Sequence, residues 1–222
     1  MGHPGGVPCK AWPLFNLCVT TPRLTLQLPH DVELLTLAEK AAERVLPREQ
    51  AGFMGRWTQL RSPEFERSFM QFHWGLRANW TPARWSLELG IYPDGHDEPV
   101  GMMGAGASDF ERLHSATTGS WLLPEWRGRG LGKEARAAVL HLLFDGLGAR
   151  EARSGAHPDN AASNAVSREL GYHCDGTEPM LTGAEEAVTV TRLLLPREDW
   201  LPRRRSDITC CGVESCRSMF GL

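Results

Sequence analysis

No apolar run in the 222-residue chain approaches the roughly 20 residues needed to cross a bilayer, so no membrane span is expected. There is no excess of positive charge either: 24 Lys and Arg stand against 27 Asp and Glu, a formal net charge of −3. That balance predicts no polyanion-binding surface. The one basic run, Arg203-Arg204-Arg205, reads as a solvated cluster, and no nucleic-acid partner is expected. Six cysteines are present, but no Cys-x-x-Cys pair and no nearby histidine completes a zinc set. Cys9, Cys18 and Cys174 are scattered, while Cys210, Cys211 and Cys216 crowd one end. They read as reduced thiols of a cytoplasmic protein with no metal site. Lys10 precedes an apolar stretch, but Pro13 and Asn16 interrupt it and no small-residue cleavage site follows, so no signal peptide is expected.

What the chain does have is the segment Trp121-Leu-Leu-Pro-Glu-Trp-Arg-Gly-Arg-Gly-Leu-Gly-Lys133, followed by an amphipathic run to Phe144. A strand that turns through glycines into a helix N-terminus builds an anion site. Backbone N–H groups converge there, and the helix dipole adds positive potential. Two nucleotide loops are excluded by spacing. A Walker loop needs Ser or Thr after Gly-Lys, and Lys133 is followed by Glu134. The dinucleotide fingerprint needs glycines at the first, third and sixth positions, which Gly128, Gly130 and Gly132 do not supply.

The pattern that fits is Arg/Gln-x-x-Gly-x-Gly/Ala, here Arg127-Gly-Arg-Gly130-Leu-Gly132. It resembles the pyrophosphate loop of GNAT-type acyl-CoA-dependent N-acyltransferases. A second segment, Asn160-Ala-Ala-Ser163 with Leu170-Gly171-Tyr172, resembles the Asn-x-x-Ser and Leu-Gly-Phe/Tyr elements of the same family. Asp159 or Asn160 is a good N-cap, and Gly171 a good stop about three turns later. Asn160, Ser163, Asn164 and Ser167 fall at i, i+3, i+4 and i+7 and share one face. The opening Thr21-Pro-Arg-Leu-Thr-Leu26 resembles the first strand of the branch containing ribosomal-protein alanine N-terminal acetyltransferases.

Arg23 to Leu28 alternates as a strand. Asp31 caps a helix expected to run to about Leu46, and Ser62-Pro63 opens another, through about Asn79, with Phe65, Phe69, Phe72 and Leu76 on one face. A hairpin of 85–92 and 99–105, a strand over 115–123, the helix after the glycine loop, a strand over 152–156, the Asn160 helix and two closing strands give an α+β order. The expected organisation is a loose extension over 1–20, one domain over 21–200 and a flexible tail over 201–222. The resemblance implies a mixed, mostly antiparallel twisted sheet with helices on both faces. That sheet is splayed between the 115–123 and 152–156 strands to hold acyl-CoA.

On that resemblance the cofactor-binding residues are Trp121, Leu122, Leu123, Arg127, Gly128, Arg129, Gly130, Leu131, Gly132 and Lys133, with Asn160 and Ser163 along the pantetheine arm. The family's oxyanion donor is a strand N–H, here at Leu122 or Leu123. The tyrosine that many members set beside the thioester is replaced by Ser167, which leaves Ser163 as the candidate acid or thiolate partner. The glutamate that many relatives carry ahead of Gly-x-Trp is replaced by Thr117, which is no base near neutral pH. Candidate bases are then Glu88, whose strand position alternates with Leu87 and Leu89, His114, with its suitable intrinsic pKa, and Asp109, Glu111 and Glu178. A water relay is the other option. Phe53, Trp57, Phe69, Phe72, His73, Trp74, Trp80 and Trp85 supply aromatic density for either a core or an acceptor pocket.

The expected activity is acyl transfer, most simply acetyl, from acetyl-CoA to a primary amine of a small molecule or a peptide N-terminus. The partners are thus acyl-CoA and an amine acceptor, and a homodimer is compatible. The alternatives are succinyl-CoA or another acyl donor, with His73, Arg77 or Arg84 as the cationic residue facing a carboxylated chain, or a non-catalytic acyl-CoA-binding module.

Overall fold

A computed structural model describes residues 9–44, 60–181 and 187–222. Among the described residues nine strands form one sheet: β1 (Cys18–Thr20), β2 (Leu24–Gln27), β3 (Arg84–Pro93), β4 (Gly101–Ser108), β5 (Ser115–Leu122), β6 (Glu151–Ala156), β7 (His173–Leu181), β8 (Ala187–Pro196) and β9 (Thr209–Cys211). Their spatial order is β7-β8-β6-β5-β4-β3-β2-β1-β9, and every pairing is antiparallel except β5 with β6.

On one face lie α1 (Asp31–Arg44) and α2 (Glu64–Ala78). They bury Leu34, Leu37, Phe65, Phe69 and Met70 against Met102 and Leu123. The expected end of the first helix, near Leu46, lies outside the described residues. The buried stripe of α2 is Phe65, Phe69, Met70 and His73, while Phe72 is exposed, so the stripe is rotated from the expected Phe65-Phe69-Phe72-Leu76 line. Pro63 stands at the N-cap and not at the first helical position. On the other face, α4 (Leu131–His141) covers Leu87, Leu89, Met103, Ala116 and Leu122. A short α3 (Phe110–Leu113) joins β4 to β5, and α5 (Ala161–Glu169) follows β6. The helix after the glycine loop continues through a π turn, Leu142–Gly146, closed by Leu147 N–H donating to the Leu142 carbonyl at 2.9 Å.

The described parts of both terminal segments depart from expectation. From residue 9 onward the N-terminal segment folds through the turn Pro13–Asn16 into β1, which pairs with β9 from the far end of the chain. The segment expected as a flexible tail is seated on the protein. Phe220 is fully buried, 4.9 Å from the Trp85 ring and 5.7 Å from Trp80, and Trp80 Nε1 donates to the Met219 carbonyl at 2.8 Å. Cys216 is buried as well, with Sγ 3.2 Å from the Pro13 carbonyl. The physical reason is aromatic area: Phe220 fills a slot beside two tryptophans that the sheet alone would leave open. Among the described residues no helix is long and apolar enough to cross a membrane.

Candidate active site

The parallel ladder between β5 and β6 stops after three residue pairs, Ser115 with Glu151 to Thr117 with Arg153. Beyond it the strands part. β5 remains paired to β4 as far as Leu122, and β6 remains paired to β8 as far as Ala156. Side chains take over at the apex, where Thr118 Oγ1 donates to the Arg153 carbonyl at 3.2 Å and Ser154 Oγ donates to the Thr118 carbonyl at 3.0 Å. This is the splay expected from the sequence.

Alternation along β5 decides which backbone groups face the opening. Leu123 N–H donates to the Val100 carbonyl at 2.9 Å and therefore points at β4. Leu122, Ser120 and Thr118 point the opposite way, toward the splay. The Thr118 carbonyl takes Ser154, and the Leu122 carbonyl accepts from Arg127 Nε at 2.9 Å. The N–H groups of Ser120 and Leu122 face the opening with no ladder partner among the described residues. Leu123 is excluded as an oxyanion donor, because its N–H is already spent on β4.

The glycine loop sits at the open end. Gly128 and Gly130 have φ of 72° and 77°, a left-handed geometry that side chains resist, and Gly130 is the N-cap of α4. No side chain among the described residues caps that helix, so the N–H groups of its first turn keep their donor capacity for an anion. Gly132 is different. A Cβ there would meet Leu122 at an ordinary 3.6 Å, so the packing around it does not require glycine. The charged members of the loop are committed within the protein. Arg127 reaches back to β5, Arg129 lies over the Trp126 ring at 5.1 Å, and Lys133 pairs with Glu169 of α5 at 2.6 Å. Glu134 is buried and holds the loop to the turn between β1 and β2, accepting from Thr21 Oγ1 at 2.6 Å and Arg23 Nε at 2.7 Å. Although burial opposes ionisation, those bonds and the Arg23 charge leave its carboxyl below the usual range.

Glu88 is the half-buried acid of the cleft. On the α1/α2 face it stands opposite Gly104 of β4, which in turn stands opposite Gly119 of β5. Three strands thus present one row, Glu88, Gly104, Gly119, that ends at the splay. The carboxyl lies across Gly104, and a Cβ on that residue would collide with Glu88 Oε1. Desolvation, with no compensating cation among the described residues, pushes the Glu88 carboxyl up to about 8. A narrow cleft runs from Glu88 past Ser86, Leu28, Leu76 and Trp80 to His73. His73 is buried 4.6 Å from the Phe69 ring; burial first, and then the nearby Arg77 charge, lower it to about 4. At neutral pH the cleft therefore carries a neutral imidazole and a mostly protonated carboxyl beside the charged Arg77.

The other candidates are placed elsewhere. His114 is the left-handed C-cap of α3, φ 49°, with its carbonyl accepting from Arg150 N–H at 2.7 Å. It precedes β5 and lies five residues from Gly119, roughly 17 Å along the strand. A base at that distance reaches nothing in the splay, so the expectation for His114 is not supported. Asp109 caps the same turn, Glu111 is exposed, and Glu178 is exposed on the edge strand β7. Asn160 caps α5 by accepting from Ser163 N–H at 3.0 Å, and Asn164 Nδ2 donates to the His157 carbonyl at 3.0 Å. Ser163 Oγ has no protein partner among the described residues. The Trp121 side chain faces away from the splay, 6.1 Å from the Phe69 ring. Trp80 and Trp85 belong to the core beside Phe220, Phe72 and Trp74 are exposed, and Phe53 and Trp57 lie outside the described residues.

One site residue escaped the sequence reading. Arg136 of α4 is 4 % exposed and lies between the walls of the splay, with Nη1 2.9 Å from Ser167 Oγ and Nη2 3.3 Å from Ser120 Oγ. Its Nε has no hydrogen-bond partner, and no carboxylate pairs with it, among the described residues. Ser167 is fully buried against it and is not part of a solvated helix face. The signal was an arginine in the stripe Gly132, Arg136, Leu140, Leu143, where spacing demands an apolar residue.

The comparisons agree with this geometry. Residues 23–173 match the family model of the acetyltransferase (GNAT) domain. Among solved structures, the ribosomal-protein-S5-alanine acetyltransferase from Vibrio fischeri is 14 % identical with a TM-score of 0.63, over 83 % of this chain and 99 % of its own. RimL, a ribosomal L7/L12 alpha-N-protein acetyltransferase in complex with coenzyme A, is 16 % identical with a TM-score of 0.65, over 79 % and 95 %. The spermidine/spermine N-acetyltransferase SpeG from Vibrio cholerae, solved in mutant form, is 15 % identical with a TM-score of 0.60, over 82 % and 98 %. At such identities the structural likeness carries the fold, while the family model spans most of the chain. With the splayed β5–β6 pair and the uncapped glycine loop in place, the chain belongs to the GNAT acetyltransferase family.

Proposed function

We propose that the protein transfers an acetyl group from acetyl-CoA to a primary amine, of a small molecule or a peptide N-terminus, in a ternary complex. The observation that carries this reading is the row Glu88-Gly104-Gly119, which connects a half-buried carboxyl to the splay across side-chain-free backbone. Bound acetyl-CoA supplies an acyl carbon activated as a thioester. In this reading the N–H groups of Gly128 to Lys133 bind its pyrophosphate, since they open the uncapped N-terminus of α4. The free N–H groups of Ser120 and Leu122 bind the pantetheine and stabilise charge on the thioester oxygen.

Glu88 takes the proton of the attacking amine. A carboxyl near 8 is a better match to amine chemistry than an ordinary one, and a matched base contributes roughly 10²- to 10⁴-fold. It answers the loss of the usual glutamate at Thr117, whose hydroxyl instead donates to the Gly106 carbonyl at 3.1 Å. Arg77 and the neutral His73 line the cleft and disfavour an ammonium, so the amine enters as its reactive free base. Its apolar and aromatic walls argue against a polycation as acceptor. Ser163 Oγ, unengaged among the described residues, is proposed as a hydrogen-bond donor toward the CoA arm. Arg77 is held by Asp31 at 2.7 Å and Arg84 is exposed, so neither favours a carboxylated donor.

The test is amine-dependent thiol release from acetyl-CoA by the full chain, screened over peptide N-termini and small amines, beside calorimetric binding of CoA. Binding together with turnover supports the proposal. Binding without turnover on any amine would favour a regulatory CoA-binding module, and absence of binding would overturn the assignment of the splay.

A further inference from the structure

The splay holds a buried cation that neither loop nor base accounts for. Arg136 extends from α4 between β5 and α5, touching one hydroxyl on each wall: Ser120 of β5 and Ser167 of α5. Both hydroxyls are neutral, and among the described residues Nε is orphaned and no carboxylate pairs with the guanidinium. Its titratable neighbour is the Tyr172 phenol, itself buried and hydrogen-bonded to Thr118 Oγ1 at 3.0 Å. Burial lowers Arg136, yet an arginine stays protonated in proteins, so the charge persists. Removing one charge from water without a counter-charge is costly, and proteins ordinarily pair it. A fold that keeps an unpaired guanidinium at a ligand cleft has left the counter-charge to be supplied by the ligand.

We propose that Arg136 is the electrostatic partner of the sulfur that leaves during acyl transfer, acting from the wall of the splay opposite the face that carries Glu88. The inference rests on acyl-CoA occupying the splay as proposed above. Three observations locate it. Ser120, which holds one Nη, is the β5 residue next to Gly119, where the Glu88 row ends. Ser167, which holds the other, is fully buried on α5, the helix that Lys133 of the glycine loop joins through Glu169. The glycine loop, with its own helix N-terminus, already accounts for the phosphates more than a full helical turn away, leaving Arg136 for an anion formed deeper in the cleft.

The step balances without any further reactant. The amine nitrogen bonds to the acyl carbon, the C–S bond breaks, and sulfur departs with the electron pair. Glu88 holds the amine proton, and solvent protonates the thiolate as product leaves. Arg136 donates hydrogen bonds to the thiolate and retains its own protons. Because the positive charge is fixed before the reaction and lies in a water-poor cleft, it favours the state in which sulfur is negative over the thioester ground state.

The experiment uses the full chain and its variants Arg136→Met, which fills the same space without charge, and Arg136→Lys, with circular dichroism to confirm folding. Calorimetry first gives CoA affinity. Near-ultraviolet absorbance of bound CoA against pH then reads the thiolate directly, without turnover. In the wild type the bound thiol is expected to ionise at least one pH unit below free CoA. In Arg136→Met that difference vanishes, kcat falls about a hundredfold and acetyl-CoA affinity stays within a few-fold, while Arg136→Lys recovers part of both. Bound CoA whose thiol ionises alike in wild type and Arg136→Met would overturn the role of Arg136 and leave the CoA site intact. A wild type that turns over succinyl-CoA well, with Arg136→Met losing that donor alone, would overturn it too and make the residue a donor selector. Failure of the wild type to bind CoA would instead contradict the underlying assignment of the splay.

Discussion

The two faces of β5 carry the same physical problem and solve it differently. On the α1/α2 side, Thr117, Gly119 and Trp121 lead to a half-buried carboxyl at Glu88; on the α4 side, Thr118, Ser120 and Leu122 lead to a buried guanidinium at Arg136. Neither has a counter-ion among the described residues. The carboxyl relieves its desolvation by holding a proton up to about 8, so its charge becomes conditional. The guanidinium has no such escape, and its charge is permanent, cushioned by two serine hydroxyls. A conditional charge suits a group that must accept a proton. A permanent one suits a group that must wait for an anion.

The change that silences both faces at once is Gly130→Asp. A side chain at φ 77° strains the turn, and a carboxylate at the helix N-terminus repels phosphate. CoA binding is expected to disappear by calorimetry. A folded variant with unchanged affinity would show that the phosphates lie elsewhere. Glu88→Gln breaks one face only. Here kcat should fall roughly 10²- to 10⁴-fold while CoA affinity holds, and equal losses in both would make Glu88 a structural acid.

The same variant sharpens the comparison through stability. A carboxyl raised from 4.5 to about 8 on folding binds its proton more tightly in the folded state. Its contribution is therefore fully present below the unfolded pKa and is lost as pH rises toward 8. Denaturant unfolding between pH 5 and 9 should show the wild type losing stability that Glu88→Gln keeps; parallel curves would deny the burial of the charge. The smallest effects belong to hydroxyl and imidazole groups off the row. Ser163→Ala should slow turnover by about tenfold at most, the worth of one hydrogen bond. His114→Ala should leave kcat unchanged, and a large loss there would reopen the choice of base.

Much of this was legible in the sequence, and the gaps have physical causes. The loop and the start of the 160s helix were readable because glycine spacing and capping chemistry are local, although the choice between Asp159 and Asn160 as cap needed the structure. Glu88 was readable as a strand residue, but its direction depended on a register that brings two glycines into line with it. His114 was misplaced for the converse reason, since nearness in sequence to β5 does not give nearness to the middle of β5. The terminal clasp was hidden because β1 and β9 are three residues each, too short for a periodic signal, and their anchor is one phenylalanine 135 positions from Trp85. Arg136 was passed over because a charge in a helix is normally read as solvent-facing, although its stripe was apolar.

The measurement that bears most directly on the account is the pH dependence of kcat/KM for amine-dependent CoA release, in wild type and Glu88→Gln, with two acceptors whose amines differ in pKa. The account predicts a rising limb near 8 in the wild type that stays in place between acceptors and is missing from Glu88→Gln. A limb that persists in the variant, or that moves only with the amine, would contradict it.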